Sequence, residues 1–200
     1  MTLADMIAFN LVLAAAIASP GPAMLYAIRT TLASGRAVGL ATGAGLGLMA
    51  AIWTALALAG LDAVFKLFPW AYWFMKLAGA AYLIWIAIQT WRHASSPVGE
   101  AARPRASAFV GGVLVNLANP KSVLFAAAVI VVVFPKGLSL ADKAIIVGNH
   151  LLIELAFYSA LALLMSTQAV SRRYLRLKPV LDRVAAGVLG ALGVRLLAER

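Results

Sequence analysis

The chain has 200 residues, of which 64% are hydrophobic and 12% charged, with no cysteine and a formal charge of +10. Soluble domains hold about half apolar and a quarter charged residues, so this composition is that of a membrane protein with no second, soluble domain. The missing cysteine excludes disulfides, thiol redox relays and thiolate metal sites, and positive charge on so apolar a chain reports membrane topology rather than nucleic-acid binding.

A span needs about 20 apolar residues to cross a hydrocarbon layer of roughly 30 Å. Six runs qualify: about 4–28, 38–61, 70–91, 109–134, 144–169 and 180–197. Ala14 to Ala18 has the look of a cleavage site, but the first cation is Arg29, so the first run lacks the basic leader of a signal peptide. It reads as a retained span. The second run carries Gly39, Gly43 and Gly47 at intervals of four, with Gly35 one turn earlier. Small residues on one face let helix backbones approach closely in lipid, and packing is the role assigned to them. Trp53, Trp70, Tyr72, Trp73 and Trp91 fall mostly near span ends and read as interface anchors.

Cations gather on one side. The loops after the first, third and fifth runs hold Arg29, Arg36, Arg92, Arg103, Arg105, Arg172, Arg173, Arg176 and Lys178. The other side holds Lys66, Lys136, Lys143 and Arg200. The positive-inside rule therefore predicts both termini outside the cytoplasm. A polar linker, about 92–108, divides one transmembrane domain over residues 1–200 into repeats of about 1–91 and 109–200. Three spans per half require the second repeat to be inverted. The predicted fold is thus all-α and integral to the membrane, with six transmembrane helices as two inverted three-helix repeats.

Helices 1 and 4 are interrupted at corresponding places, Ser19-Pro20-Gly21-Pro22 and Asn119-Pro120-Lys121. Each proline lacks an N–H and frees a carbonyl one turn back, on Ala16, Ala18 and Asn116. Residues before proline leave the helical region, and freed carbonyls in hydrocarbon must meet protein, water or substrate. A new half-helix then starts with its positive end near mid-membrane. Two such ends facing a common centre suit a carboxylate, and the exposed carbonyls suit an ammonium group. An amino-acid zwitterion offers both. The candidate substrate-binding residues are Ser19, Pro20, Gly21, Pro22, Asn116, Asn119, Pro120 and Lys121. Lys121 lies roughly 18 Å along its span, too deep to snorkel fully. Glu154 reads as the one deep acid, and His150, Glu154 and Tyr158 share a helical face at intervals of four. They are candidates for coupling to a proton or ion, or for pairing with Lys121.

No metal cluster, glycine-rich phosphate loop or nucleophile elbow is present, so no enzyme activity, metal site or cofactor is expected. Energy must come from a proton or ion gradient.

These motifs resemble the LysE/RhtB family of bacterial amino-acid exporters, small six-span inner-membrane proteins. The likeness rests on Ser19-Pro20-Gly21-Pro22, on Gly35-Arg36 with Gly39, Gly43 and Gly47, and on Leu77-Ala78-Gly79-Ala80-Ala81-Tyr82-Leu83. It continues in Phe109-Val110-Gly111-Gly112 and Asn116-Leu117-Ala118-Asn119-Pro120-Lys121, and is weaker after Pro135. It implies a gradient-driven exporter of amino acids or close derivatives, working by alternating access in the bacterial inner membrane. The expected partners are the amino-acid substrate, a coupling proton or ion and the bilayer; homo-oligomerisation is left open. The alternatives are an exporter of a metal ion or small toxicant, which few deep ligands support, and a non-transporting assembly subunit.

Overall fold

The computed structural model describes the backbone of residues 1–18, 21–68, 70–92, 94, 107–165 and 168–198. Within them the chain forms eight helices and no strand: α1 Leu3–Ala18, α2 Pro22–Ser34, α3 Arg36–Leu67, α4 Ala71–Arg92, α5 Ala108–Leu117, α6 Pro120–Val133, α7 Leu140–Met165 and α8 Gln168–Ala198. Most of the predicted linker, Arg103 and Arg105 included, lies outside the described residues, as do Ser19 and Pro20.

Local chemistry sets the helix ends. Thr2 and Asp5 cap α1 reciprocally, with Thr2 N–H donating to Asp5 at 2.7 Å and Asp5 N–H to Thr2 Oγ1 at 3.2 Å. Ser139 and Asp142 make the same exchange at α7, and the N-terminal ammonium lies 3.8 Å from Asp142. The starts of α1 and α7 therefore share one end of the bundle. Gly35 turns the chain from α2 into α3 at φ +85°, a conformation that disfavours a side chain.

The two sequence interruptions are real bends. α1 and α2 meet at 58°, and α5 and α6 at 69°. Among the described residues, α3 (over Arg36–Gly60) and α7 are long and apolar enough to cross a membrane, and each bent pair would supply one more span, up to four in all. Apolar side chains cover the outside. Leu3, Ile7 and Leu11 form an exposed stripe on α1, while Phe9, Leu13 and Ala16 are buried behind it. A helix apolar on both its inner and outer faces suits lipid rather than water.

Glycines bring the helices together. A Cβ on Gly43 would sit 2.5 Å from Tyr158 Cβ, one on Gly47 3.0 Å from Glu154 Cβ, and one on Gly39 3.1 Å from Ala162. The stripe of α3 thus runs antiparallel along α7. α4 and α8 are also antiparallel, with Gly193 against Ile84 and Gly190 against Ala87. α5 crosses α3 backbone to backbone, where a Cβ on Gly45 would overlap the Phe109 carbonyl and one on Gly112 the Thr42 carbonyl. Lipid gives no hydrophobic drive between helices, so this closeness supplies the dispersion contacts.

The contacts are one-sided. α4 packs on α6 and α8 on α1, whereas among the described residues neither has more than marginal contact with α2 or α5. The cores divide the same way. One joins α1, α6 and parts of α3, α4, α7 and α8, and the other joins α2 with parts of α3 and α7.

The last helix corrects the sequence reading. α8 begins at Gln168, 12 residues before the predicted span near Val180, so Pro179 is inside it and Arg172, Arg173, Arg176 and Lys178 are helical rather than in a loop. Lys178 is no loop cation. It is buried, donating at 2.9 Å to Asp182 Oδ2 and at 3.0 Å to the Ala94 carbonyl just past α4. Breaking a buried pair from one side costs about 3–5 kcal/mol. Asp182→Leu should therefore lower the thermal midpoint of the detergent-solubilised protein, and adding Lys178→Met should restore much of it.

Candidate functional site

Each bend leaves backbone groups that its own helix cannot satisfy. At the second bend the shortage is met locally. The Asn116 carbonyl, freed by Pro120, accepts from Asn119 N–H at 3.1 Å. Asn119 is extended at φ −89° and ψ 103°, and its side chain caps α6 by accepting from Lys121 N–H at 3.1 Å. At the first bend the partner comes from far away. The Ala16 carbonyl, freed by Pro20, accepts from Lys121 Nζ at 3.2 Å across a separation of 105 residues. The ammonium that starts one half-helix thus closes the end of the other.

The α2 start differs from that of α6. Gly21 is its N-cap, with φ −123° and ψ −176°, and no side chain caps it; Pro22 holds the first helical position. Gly21, Ala23 and Met24 line a cavity between the two bends. A helix start carries partial positive charge.

The cavity holds about 520 Å³ of empty space, part of it open to the outside. Of the residues predicted to bind substrate, Gly21, Asn116, Asn119 and Lys121 line it, as do all three coupling candidates, His150, Glu154 and Tyr158. Pro22 and Pro120 set the two helix starts. Ser19 and Pro20 fall outside the described residues.

The far wall is α7. His150, Glu154 and Tyr158 are all buried, at 2%, 4% and 4% exposure, and face α3 over the glycine stripe. Thr54 Oγ1 lies 2.7 Å from His150 Nδ1, and His150 Nε2 lies 3.4 Å from Glu154 Oε1. One tautomer satisfies both contacts, with the Thr54 hydroxyl donating to Nδ1 and Nε2–H donating to the carboxylate. Phe9 closes the imidazole edge-on at 5.7 Å. Glu154 takes His150, not Lys121, as its hydrogen-bond partner.

Two acceptors in this cavity remain unused. Glu154 Oε2 and Asn116 Oδ1 are buried without a hydrogen-bond partner. Asn116 Nδ2 donates to the Leu46 carbonyl at 2.9 Å, which fixes the amide.

Sequence reading missed Asp182, a second deep acid at 3% exposure, whose charge acts on Lys121. Its signal was present in the four-residue interval from Lys178, which places both on one helix face. Ser122 and Phe125, which line the cavity, and Thr54, which holds His150, were missed too, since a hydroxyl or ring in an apolar run carries no mark of its neighbours.

Comparison with known proteins gives this geometry its context. The LysE type translocator model matches residues 14–200. The chain belongs to this family. It is therefore a membrane translocator and not an enzyme. The threonine efflux protein of Salmonella typhi is 27% identical over 193 residues, covering 92% of this chain and 93% of the relative. The homoserine/homoserine lactone efflux protein of Salmonella typhimurium is 36% identical over 113 residues, 55% of each chain. YahN, an uncharacterised membrane protein of Escherichia coli K12, is 28% identical over 186 residues, covering 90% of this chain and 83% of the relative. No solved structure gives a significant match.

Proposed function

We propose that this LysE-type translocator is a secondary active exporter of amino acids or close derivatives, working by alternating access in a bacterial inner membrane. Its six spans would form two inverted repeats, about 1–91 and 109–200, with both termini outside the cytoplasm. The antiparallel pairing of α3 with α7 and of α4 with α8 supports inversion, since each pair joins corresponding spans of the two halves. The shared end of α1 and α7 supports an even number of crossings between the first and fifth spans. With the buried Lys178 set aside, eight cations near one end of the spans still face four near the other, and the proposed orientation rests on that excess.

The observation that carries the reading is the cavity between the two bends, where the Lys121 ammonium bridges to the freed Ala16 carbonyl. A substrate carboxylate has two complements there, the positive end of the α2 dipole and Lys121. The one-sided packing of α4 and α8 supports rocking. These helices close on α1 and α6 and leave the α2 and α5 side open, as one end state of alternating access would. The reverse state would close them on α2 and α5.

The test is intracellular accumulation across a panel of amino acids and dipeptides, with and without expression, L-threonine and L-homoserine included because two relatives carry those names. Expression should lower accumulation of at least one amino acid, and an uncoupler should abolish the difference. A flat panel from well-expressed protein would favour a non-transporting subunit.

A further inference from the structure

Glu154 was read from the sequence as a coupling group and the bends as the substrate site, yet one carboxylate oxygen faces both tasks. Glu154 Oε1 is engaged by His150, which is itself held by Thr54. Glu154 Oε2 is buried and unpartnered, and so is Asn116 Oδ1 from the opposite helix α5. Both residues line the cavity that holds Lys121. A buried acceptor without a donor costs free energy, and two of them on residues that line one cavity call for a donor with several protons. An ammonium group has three.

We propose that Glu154 Oε2 and Asn116 Oδ1 form the cation subsite of this cavity, taking the α-ammonium of the substrate, and that a proton competes for the same oxygen. The proposal rests on the amino-acid export reading and deepens it. With Lys121 and the α2 start taking the carboxylate, the cavity is complementary to a zwitterion and discriminates against the corresponding carboxylic acid that lacks the amino group. Competition at one oxygen couples the fluxes. When the substrate ammonium arrives, Glu154 gives its proton to water on the side to which the cavity is open. When the substrate leaves on the other side, Glu154 takes a proton there. One amino acid moves out for one proton moved in, and no other reactant is needed.

A metal ion fits the subsite poorly, because hard cations want about six oxygens and an ammonium from Lys121 shares the space. The titratable groups around Glu154 among the described residues are His150 and Tyr158 on its own helix and Lys121 on α6. α1, α2, α3 and α5 present only uncharged residues to the cavity, and Asp182 on α8 acts on Lys121.

Binding of L-threonine and L-homoserine to the purified full-length protein would be titrated at about pH 4 and about pH 7, a window that spans the ordinary carboxylate range and in which a free amino acid stays zwitterionic. Wild type should bind more weakly at the lower pH. Glu154→Gln should lose about tenfold or more in affinity near neutrality and lose the pH dependence with it. Glu154→Asp, which keeps the charge, should bind more weakly but retain the pH dependence. Unchanged affinity in a folded Glu154→Gln overturns the subsite. A pH dependence that survives in that variant also overturns it, since His150 or another group would then carry the effect. A wild type that binds neither these nor any other amino acid overturns the export reading and the subsite with it, whereas wild-type binding with an indifferent Glu154→Gln strikes the subsite alone.

Discussion

Lys121→Ala should reduce amino-acid efflux to the level of cells lacking the protein while leaving its amount in the membrane unchanged. The expectation follows from what its ammonium does in two places at once. It satisfies the carbonyl that Pro20 frees at Ala16, and it lines the cavity where a substrate carboxylate would need a cation. A charge-assisted hydrogen bond contributes about 1.5–3 kcal/mol, so losing the bond to Ala16 weakens the junction between the two bends without unfolding four packed helices. Loss of the cation should act mainly on binding. Lys121→Arg keeps the charge on a longer, planar head and should retain part of the efflux. Both variants would be assayed for export and for thermal midpoint in detergent. Normal export by a well-expressed Lys121→Ala would remove this residue from the site.

The second large effect belongs to the crossing of α3 and α5. Gly45→Val or Gly112→Val should abolish accumulation of folded protein, because the new Cβ would meet a backbone carbonyl of the facing helix rather than a movable side chain. Overpacking a core costs about 1–3 kcal/mol where side chains can yield, and here they cannot. The two helices must separate, which also pulls the Asn116 amide from the Leu46 carbonyl. Gly60→Ala and Gly148→Ala serve as controls, since neither Cβ would meet anything within 4 Å. Size-exclusion profiles of the solubilised variants separate the outcomes. A monodisperse Gly112→Val with a wild-type thermal midpoint would show that the crossing is looser than its geometry implies.

The sequence by itself determined the membrane environment, the all-helical class and both interruptions. These rest on properties that neighbours in the fold cannot override. Hydrocarbon admits few charges, and a proline has no N–H wherever it sits. Asn119-Pro120-Lys121 accordingly starts α6 as its composition requires, with Asn119 as the cap. Periodicity also placed His150, Glu154 and Tyr158 on one face, and that face is buried.

Pairing across the bundle was decided only by the tertiary structure. From the sequence, Lys121 and Glu154 were natural partners, an ammonium and a carboxylate at similar depth. Instead Glu154 turns to His150, and Lys121 reaches the Ala16 carbonyl while the charge of Asp182 acts on it. Asp182 itself escaped notice although it lies near the start of the predicted run 180–197; α8 begins earlier and continues through Pro179, which puts Lys178 one turn before it on the same helix. Hydropathy records how deep a residue lies but not its rotation about the bundle axis relative to other helices. Close glycine contacts of α3 with α7 and with α5 set that rotation, and they bring Glu154 and Asn116 to the wall of one cavity, each with a buried oxygen that has no protein donor.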